Sequence, residues 1–169
     1  MTKLDNNTSI LVILMGSLGD LIRGLAVAHG IKQSSPKTHI TWVVEDTWQG
    51  LLKDHPYIDD ILVFERKDKI KGVLKLIKGL RKRKFDICLD MQRHLKSGIA
   101  SFLSKAKTRI GFHPKNSKEM NFLFNNNYIS FKPTNYPKQL QYLEFLSVLK
   151  LPIPKEPNFG LSNLKIMLT

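Results

Sequence analysis

The sequence predicts an α/β fold built on a doubly wound parallel sheet, and three observations carry that reading. Ile10 to Met15 is an unbroken apolar run with no polar alternation, too short to cross a membrane, so it reads as a buried central strand. Gly16-Ser-Leu-Gly-Asp20 breaks the run, after which Leu21, Ile22, Leu25, Ala26 and Ala28 recur at helical spacing. Strand-like and helix-like segments then keep alternating to the end of the helical pattern at Leu149, as in successive βαβ units. The first strand, turn and helix present Ser17, Gly19 and Asp20 at a helix N-terminus, a common seat of chemistry in α/β proteins. Gly16 and Gly19 are expected to let the backbone turn tightly and approach a ligand.

The remaining elements follow in order. The first helix fades at Ser34-Ser35-Pro36, and His39 to Val44, rich in β-branched and aromatic residues, is the second strand. A short helix from Thr47 to Leu52 ends before His55-Pro56, and Ile58 to Phe64 supplies a third strand. Arg66 to Lys84 is dense in lysine and arginine, with Ile70, Val73, Leu74, Ile77 and Leu80 at i, i+3, i+4 spacing, so an amphipathic helix with a basic outer face is expected. Phe85 to Leu89 is a fourth strand that ends in Asp90-Met-Gln-Arg-His94, and Leu95 to Leu103 is helical again. Thr108 to Phe112 gives a brief fifth strand, Asn121 to Ser130 a loop with a short edge strand, and Leu140 to Leu149 the last helix. Residues 1–150 make one domain. Leu151-Pro-Ile-Pro-Lys-Glu-Pro157 has the composition of an extended linker, so residues 151–169 are expected to lead into a further domain.

Composition narrows the partners. With 169 residues and 42% apolar side chains, the chain can bury one ordinary core. Its 27 lysines and arginines against 14 acids give a formal charge of +13, which favours a polyanionic partner. Nucleic acid is disfavoured, because the aromatics lie in apolar strands or in Asn121 to Phe131 rather than among the lysines, leaving no base-stacking platform. Cys88, the single cysteine, reads as a small buried hydrophobe in a reducing compartment. The polar start and the short first apolar run argue against export, and no segment has the roughly 18 to 20 apolar residues of a membrane span, so membrane contact is expected to be peripheral. The five histidines show no metal-ligand spacing. The Gly16-x-x-Gly19 turn lacks the Gly-x-Gly-x-x-Gly of dinucleotide folds and the Lys-Ser/Thr of a P-loop.

Several motifs together resemble one family over roughly Ile10 to Leu151. They are Gly16-Ser-Leu-Gly-Asp20, Ile40-Thr-Trp-Val-Val-Glu45, His55-Pro-Tyr-Ile-Asp59, Phe85-Asp-Ile-Cys-Leu-Asp-Met-Gln92, Leu95-Lys-Ser-Gly98, Arg109-Ile-Gly-Phe112 and Asn121-Phe-Leu-Phe-Asn125. In order and spacing they resemble the N-terminal half of the family 9 glycosyltransferases, the ADP-heptose:lipopolysaccharide heptosyltransferases. The resemblance implies a Rossmann-like domain, the first half of a GT-B fold of two such domains facing across a cleft. It implies that this half receives a lipid-linked oligosaccharide acceptor on the cytoplasmic side of the membrane, while a separate C-terminal domain holds the nucleotide sugar. Inverting transfer then proceeds without a metal and with no cofactor beyond a co-substrate such as ADP-heptose. The family's donor-binding residues would lie beyond Thr169, so this chain alone is expected to be inactive.

The candidate site residues follow from both readings. Inverting transfer needs a carboxylate to take the proton of the attacking hydroxyl, and the resemblance gives Asp20 that role as the acidic residue of the family's Gly-Asp motif. The residues alone also allow a capping box, Ser17-Leu-Gly-Asp20, in which both side chains merely satisfy free backbone N–H groups. Ser17 and Gly19 are assigned to the acceptor site beside Asp20. Arg23, one turn on, can hold an acceptor carboxylate or phosphate, or stand solvated on the helix face. Arg93 and Lys96 sit at the carboxyl end of the fourth strand, where open parallel sheets bind ligands. His94 between them reads as a surface or capping residue. Arg109 and Lys118, with His113 and Lys115, form a second basic cluster assigned to the acceptor. The lysines and arginines from Arg66 to Lys84 are either a solvated face or an electrostatic contact with an anionic membrane surface. A stand-alone basic binding module for an anionic ligand, without catalysis, is the alternative to the transferase.

Overall fold

The computed structural model describes residue 4 and residues 7–161; the expected beginning of a further domain in residues 162–169 lies outside the described residues. Among the described residues six parallel strands form one sheet: β1 (Ser9–Ile13), β2 (His39–Glu45), β3 (Asp60–Phe64), β4 (Ile87–Asp90), β5 (Thr108–Gly111) and β6 (Asn127–Tyr128), in the order β3-β2-β1-β4-β5-β6. The helices are α1 (Leu18–Ser34), α2 (Gln49–Leu52), α3 (Lys69–Arg81), α4 (Leu95–Leu103) and α5 (Lys138–Val148).

β1 is central because it is apolar on both faces, and successive side chains divide strictly between two cores. Ile10, Val12 and Leu14 join Ile40, Trp42, Ile87 and Leu89 under α1 and α5. Leu11, Ile13 and Met15 join Val43 and Cys88 under α3 and α4. Register is in step across the centre, with Val12 opposite Trp42 on one side and Leu89 on the other. Two glycines let α1 sit close: a Cβ on Gly24 would come within 2.7 Å of Leu14 and 2.8 Å of Trp42, and one on Gly30 within 2.5 Å of Leu146 on α5. The Trp42 indole N–H donates to the Leu14 carbonyl at 2.9 Å, so the largest core side chain also ties β2 to the end of β1. Burial pushes the Cys88 thiol up to about 12, as suits an inert core residue.

Several boundaries differ from the sequence expectation. β3 starts at Asp60 rather than Ile58, because His55 to Asp59 forms a turn whose Asp59 carboxylate takes the Ile40 N–H and the Lys32 ammonium, each at 2.7 Å. β4 starts at Ile87 rather than Phe85, and Asp86 instead caps the Ser9 N–H. A 3-10 turn at Arg66–Asp68 precedes α3. The larger correction concerns α3 itself. It meets the sheet through Gly72, Leu76 and Leu80, spaced four apart, which leaves Ile70, Val73 and Leu74 exposed by 75%, 42% and 60%. The apolar stripe expected to face the core therefore points sideways, along the helix flank.

Candidate functional site

The strand order turns back on itself between β1 and β4. In a doubly wound sheet the helices leaving two such strands go to opposite faces, and a crevice opens at their carboxyl ends. Here α1 packs with α5 on one face, while α3 and α4 cover the other. The loops beyond the two strands are stitched together: Met91 N–H donates to Ile13 O at 3.0 Å, and Met15 N–H to the Gln92 side-chain carbonyl at 2.8 Å.

Asp20 is the third residue of α1, above this crevice. Its Oδ1 accepts from Arg23 Nη1 at 2.9 Å, and about a third of each side chain stays exposed. The Ser17 hydroxyl approaches Oδ2 at 3.4 Å, longer than an ordinary O–H···O bond. The capping box does not form. Ser17 is the N-cap residue but makes no side-chain cap bond, and Asp20 reaches forward to Arg23 rather than back to the Ser17 backbone. Nor does the turn use glycine's left-handed freedom, since neither Gly16 nor Gly19 has a positive φ. What Gly16 requires is room, because a Cβ there would lie 3.1 Å from the Trp48 indole nitrogen.

Two further groups meet at Asp20. Tyr142, on α5, is buried, and its phenol faces the Met91 carbonyl at 3.4 Å. Burial, then the neighbouring Asp20 carboxylate, pushes that phenol well above its ordinary range, so it stays a protonated donor. Arg93, in a left-handed conformation (φ 70°), holds its guanidinium 4.9 Å from the centre of the Phe112 ring. Arg93 forms no ion pair with any described residue; its charge, like that of Arg23, is felt at Tyr142. Asp20 and Arg23 thus form a part-exposed ion pair, and both, with Arg93, lie close enough to the buried Tyr142 phenol to act on its charge.

The other residues assigned from the sequence are placed differently. Lys118 arrives by its backbone, donating its N–H to the Arg93 carbonyl at 3.0 Å, while its side chain is exposed. Lys96, in the first turn of α4, stands at the mouth of a separate groove between α3 and α4. The structure does not bring Arg109 to the crevice. It is the second residue of β5, near the amino end of the strand, and its guanidinium donates to the Phe124 and Ala106 carbonyls, each at 2.9 Å. His113 accepts from the Lys115 N–H at 3.2 Å and closes its own loop. His94 is the N-cap residue of α4, and Glu119 reaches its ring at 3.3 Å and the Leu95 N–H at 3.0 Å.

Beneath the loop after β4 lies a polar knot that sequence reasoning missed. Asp90 is fully buried, and its carboxylate accepts from Asn121 Nδ2 at 2.6 Å, Asn125 Nδ2 at 3.3 Å and Gln92 N–H at 3.2 Å. Burial raises its proton affinity, against the donors of Asn121, Ser97 and Asn125. The signal was an acid closing an apolar strand with a downstream Asn-x-x-x-Asn. Tyr142 and Gln92 carry no local signal, because one looks like a helix core residue and the other like a loop amide. No group of three or more His, Cys, Asp or Glu that could hold a metal ion occurs among the described residues. No helix among them is long and apolar enough to cross a membrane.

Comparison with known proteins adds a family. The sequence profile of "Glycosyltransferase family 9 (heptosyltransferase)" matches residues 73–162, a stretch that begins after Asp20. The chain is 35% identical over 144 residues to the lipopolysaccharide core heptosyltransferase OpsX of Haemophilus influenzae, covering 84% of this chain and 41% of that protein. It is 33% identical over 117 residues to lipopolysaccharide heptosyltransferase 1 of Campylobacter coli, covering 69% and 34% respectively. The chain thus spans less than half the length of these curated relatives. The glycosyl transferase family 9 structure from Veillonella parvula superposes with a TM-score of 0.75 at 22% identity, over 89% of this chain and 44% of that one. The E. coli heptosyltransferase WaaC with ADP-2-deoxy-2-fluoro heptose gives 0.76 at 17% identity, over 90% and 52%. At these identities the two structures establish a shared fold.

Proposed function

We propose a function for this chain from its family, since it belongs to glycosyltransferase family 9, the heptosyltransferases. It is the acceptor-binding half of an inverting transferase that moves heptose or a related sugar from a nucleotide sugar to a lipopolysaccharide core acceptor. The observation that carries this reading is the seat of Asp20: a part-exposed carboxylate over the β1/β4 crevice, oriented by Arg23.

In the proposed step an acceptor hydroxyl lies against the Asp20 carboxylate. Its oxygen forms the bond to the anomeric carbon, the bond to the nucleotide breaks with its electron pair leaving on the diphosphate oxygen, and Asp20 takes the hydroxyl proton. Arg93, and the face of Arg23 not spent on Asp20, bind anionic groups of the acceptor. Ser17, Gly19 and Lys118 border the same opening. The Tyr142 phenol supports the carboxylate from below and, held protonated, does not compete for the proton.

The donor is bound by a C-terminal domain, so residues 1–169 alone have little or no turnover. The lysine-rich outer side of α3 meets the anionic inner face of the cytoplasmic membrane, where a lipid-linked acceptor is presented, each well-placed lysine contributing up to about 1 kcal/mol. Calorimetry of the isolated chain with a soluble core-oligosaccharide acceptor and, separately, with ADP-sugar tests the reading. Acceptor binding without nucleotide binding supports it. Tight nucleotide binding without acceptor binding replaces it with a stand-alone binding module.

A further inference from the structure

Away from the crevice, α3 and α4 enclose an apolar groove of about 540 Å³. Its walls are the sideways stripe of α3 (Ile70, Val73, Leu74 and Ile77) and the flank of α4 (Ile99 and Leu103), while Lys69 and Lys96 stand among its lining residues. Ile70, Leu74 and Ile99 are 75%, 60% and 40% exposed, so the groove opens to solvent through apolar side chains. Leaving this much apolar surface in water on one flank is costly.

The charges around it say what kind of molecule fits. Lys69, Lys71, Lys78 and Lys96 form no ion pair with any described residue, whereas Lys75 is spent on Glu65. An apolar bed with free ammonium groups at its mouth complements a molecule with a hydrocarbon tail and an anionic head. It does not complement a second copy of this chain, because two rims of the same sign, on molecules of formal charge +13, would be brought face to face. We infer that the groove between α3 and α4 seats an acyl chain of an anionic membrane lipid, with the lipid headgroup at the Lys69 and Lys96 rim. The helices then lie in the plane of the interface with their flanks in the hydrocarbon. The inference rests on the peripheral membrane contact proposed above and deepens it, from charge attraction at a surface to insertion of a side of the fold.

A Leu74→Trp variant, mixed with vesicles of equal phosphatidylglycerol and phosphatidylcholine bearing brominated acyl chains, reads the insertion directly. The expected result is at least twofold quenching of the new fluorescence, absent with phosphatidylcholine alone. Ile70→Asp with Ile99→Asp, and separately Lys69→Glu with Lys96→Glu, are each expected to weaken vesicle binding tenfold or more with an unchanged circular dichroism spectrum. Vesicle binding without bromine quenching overturns the inference and leaves surface adsorption standing. A concentration-dependent dimer abolished by Ile70→Asp overturns it in favour of a second copy. Absence of vesicle binding sinks both the inference and the membrane contact, while the soluble-acceptor titration still decides the transferase reading.

Discussion

Asp20, in the first turn after β1, keeps about a third of its side chain open and binds one guanidinium, whereas Asp90, at the end of the adjacent β4, is fully buried and accepts from two asparagine amides and a backbone N–H. Both are acids at the carboxyl end of a central strand, the place where parallel sheets bind ligands. The difference is in where the lone pairs go. Asp90 has spent its own on holding the Gln92 and Asn121 segments, so it shapes the loop that carries Arg93. Asp20 retains an approachable edge. Position at a strand end therefore nominates a residue, and unspent hydrogen-bonding capacity separates a candidate for chemistry from a scaffold.

Substitutions separate the two acids, the largest effect falling on turnover. With this chain as the first half of a complete family 9 enzyme, Asp20→Asn is expected to lower kcat by about 10²- to 10⁴-fold, the usual worth of a positioned general base. Its thermal midpoint should move little, because the ion pair it loses is part-exposed. Asp90→Asn should behave in the opposite sense. It turns an acceptor into a donor facing the Asn121 amide, and the unsatisfied group costs about 2 to 3 kcal/mol, read as a fall of roughly 5 to 10 °C in Tm. Arg93→Ala should weaken acceptor binding about tenfold, near 1.4 kcal/mol, with stability nearly unchanged. Arg109→Ala should leave acceptor affinity unaltered and cost about 1 kcal/mol of stability, since its two bonds go to backbone carbonyls.

The smallest effect lies at the other end of the domain. His55 accepts the Tyr57 N–H at Nδ1 (3.3 Å), which leaves Nε2 to donate to the Phe159 carbonyl at 2.9 Å and tie down the chain after α5. Burial holds its pKa below the ordinary 6.5 despite the bond to Phe159. The unfolded chain therefore binds the proton first. The stabilisation is complete above about pH 6.5 and is lost as the pH falls below that value. His55→Gln should flatten the dependence of Tm between pH 7.5 and 5.5.

The sheet was legible in the sequence because its centre is written in uninterrupted apolar runs, and its parallel strands followed from their alternation with helices. The place of Asp20 at the start of α1 was legible for a similar reason: its signal is local, five residues between a strand and a helix. Arg109, like Arg93, was assigned to the acceptor, yet one lies second in its strand and the other follows its strand, and that offset decides which end of the sheet each reaches. α3 was misread because Ile70, Val73, Leu74, Ile77 and Leu80 form a regular stripe, but the helix packs on the overlapping set Gly72, Leu76 and Leu80. Only the depth of approach at Gly72 distinguishes the two, and a Cβ there would lie 2.2 Å from the Glu65 carbonyl oxygen. Tyr142 reaches Asp20 through the docking of α5 against α1, a tertiary contact with no sequence-local trace.

The acceptor's footprint on the chain can be mapped residue by residue. Amide chemical shifts of the isolated chain, titrated with a soluble core-oligosaccharide acceptor, are predicted to move at Ser17 to Arg23 and at Gln92 to His94, on the two sides of the β1/β4 crevice. Shifts confined to the β5 and β6 edge, with the Asp20 segment unmoved, would contradict it.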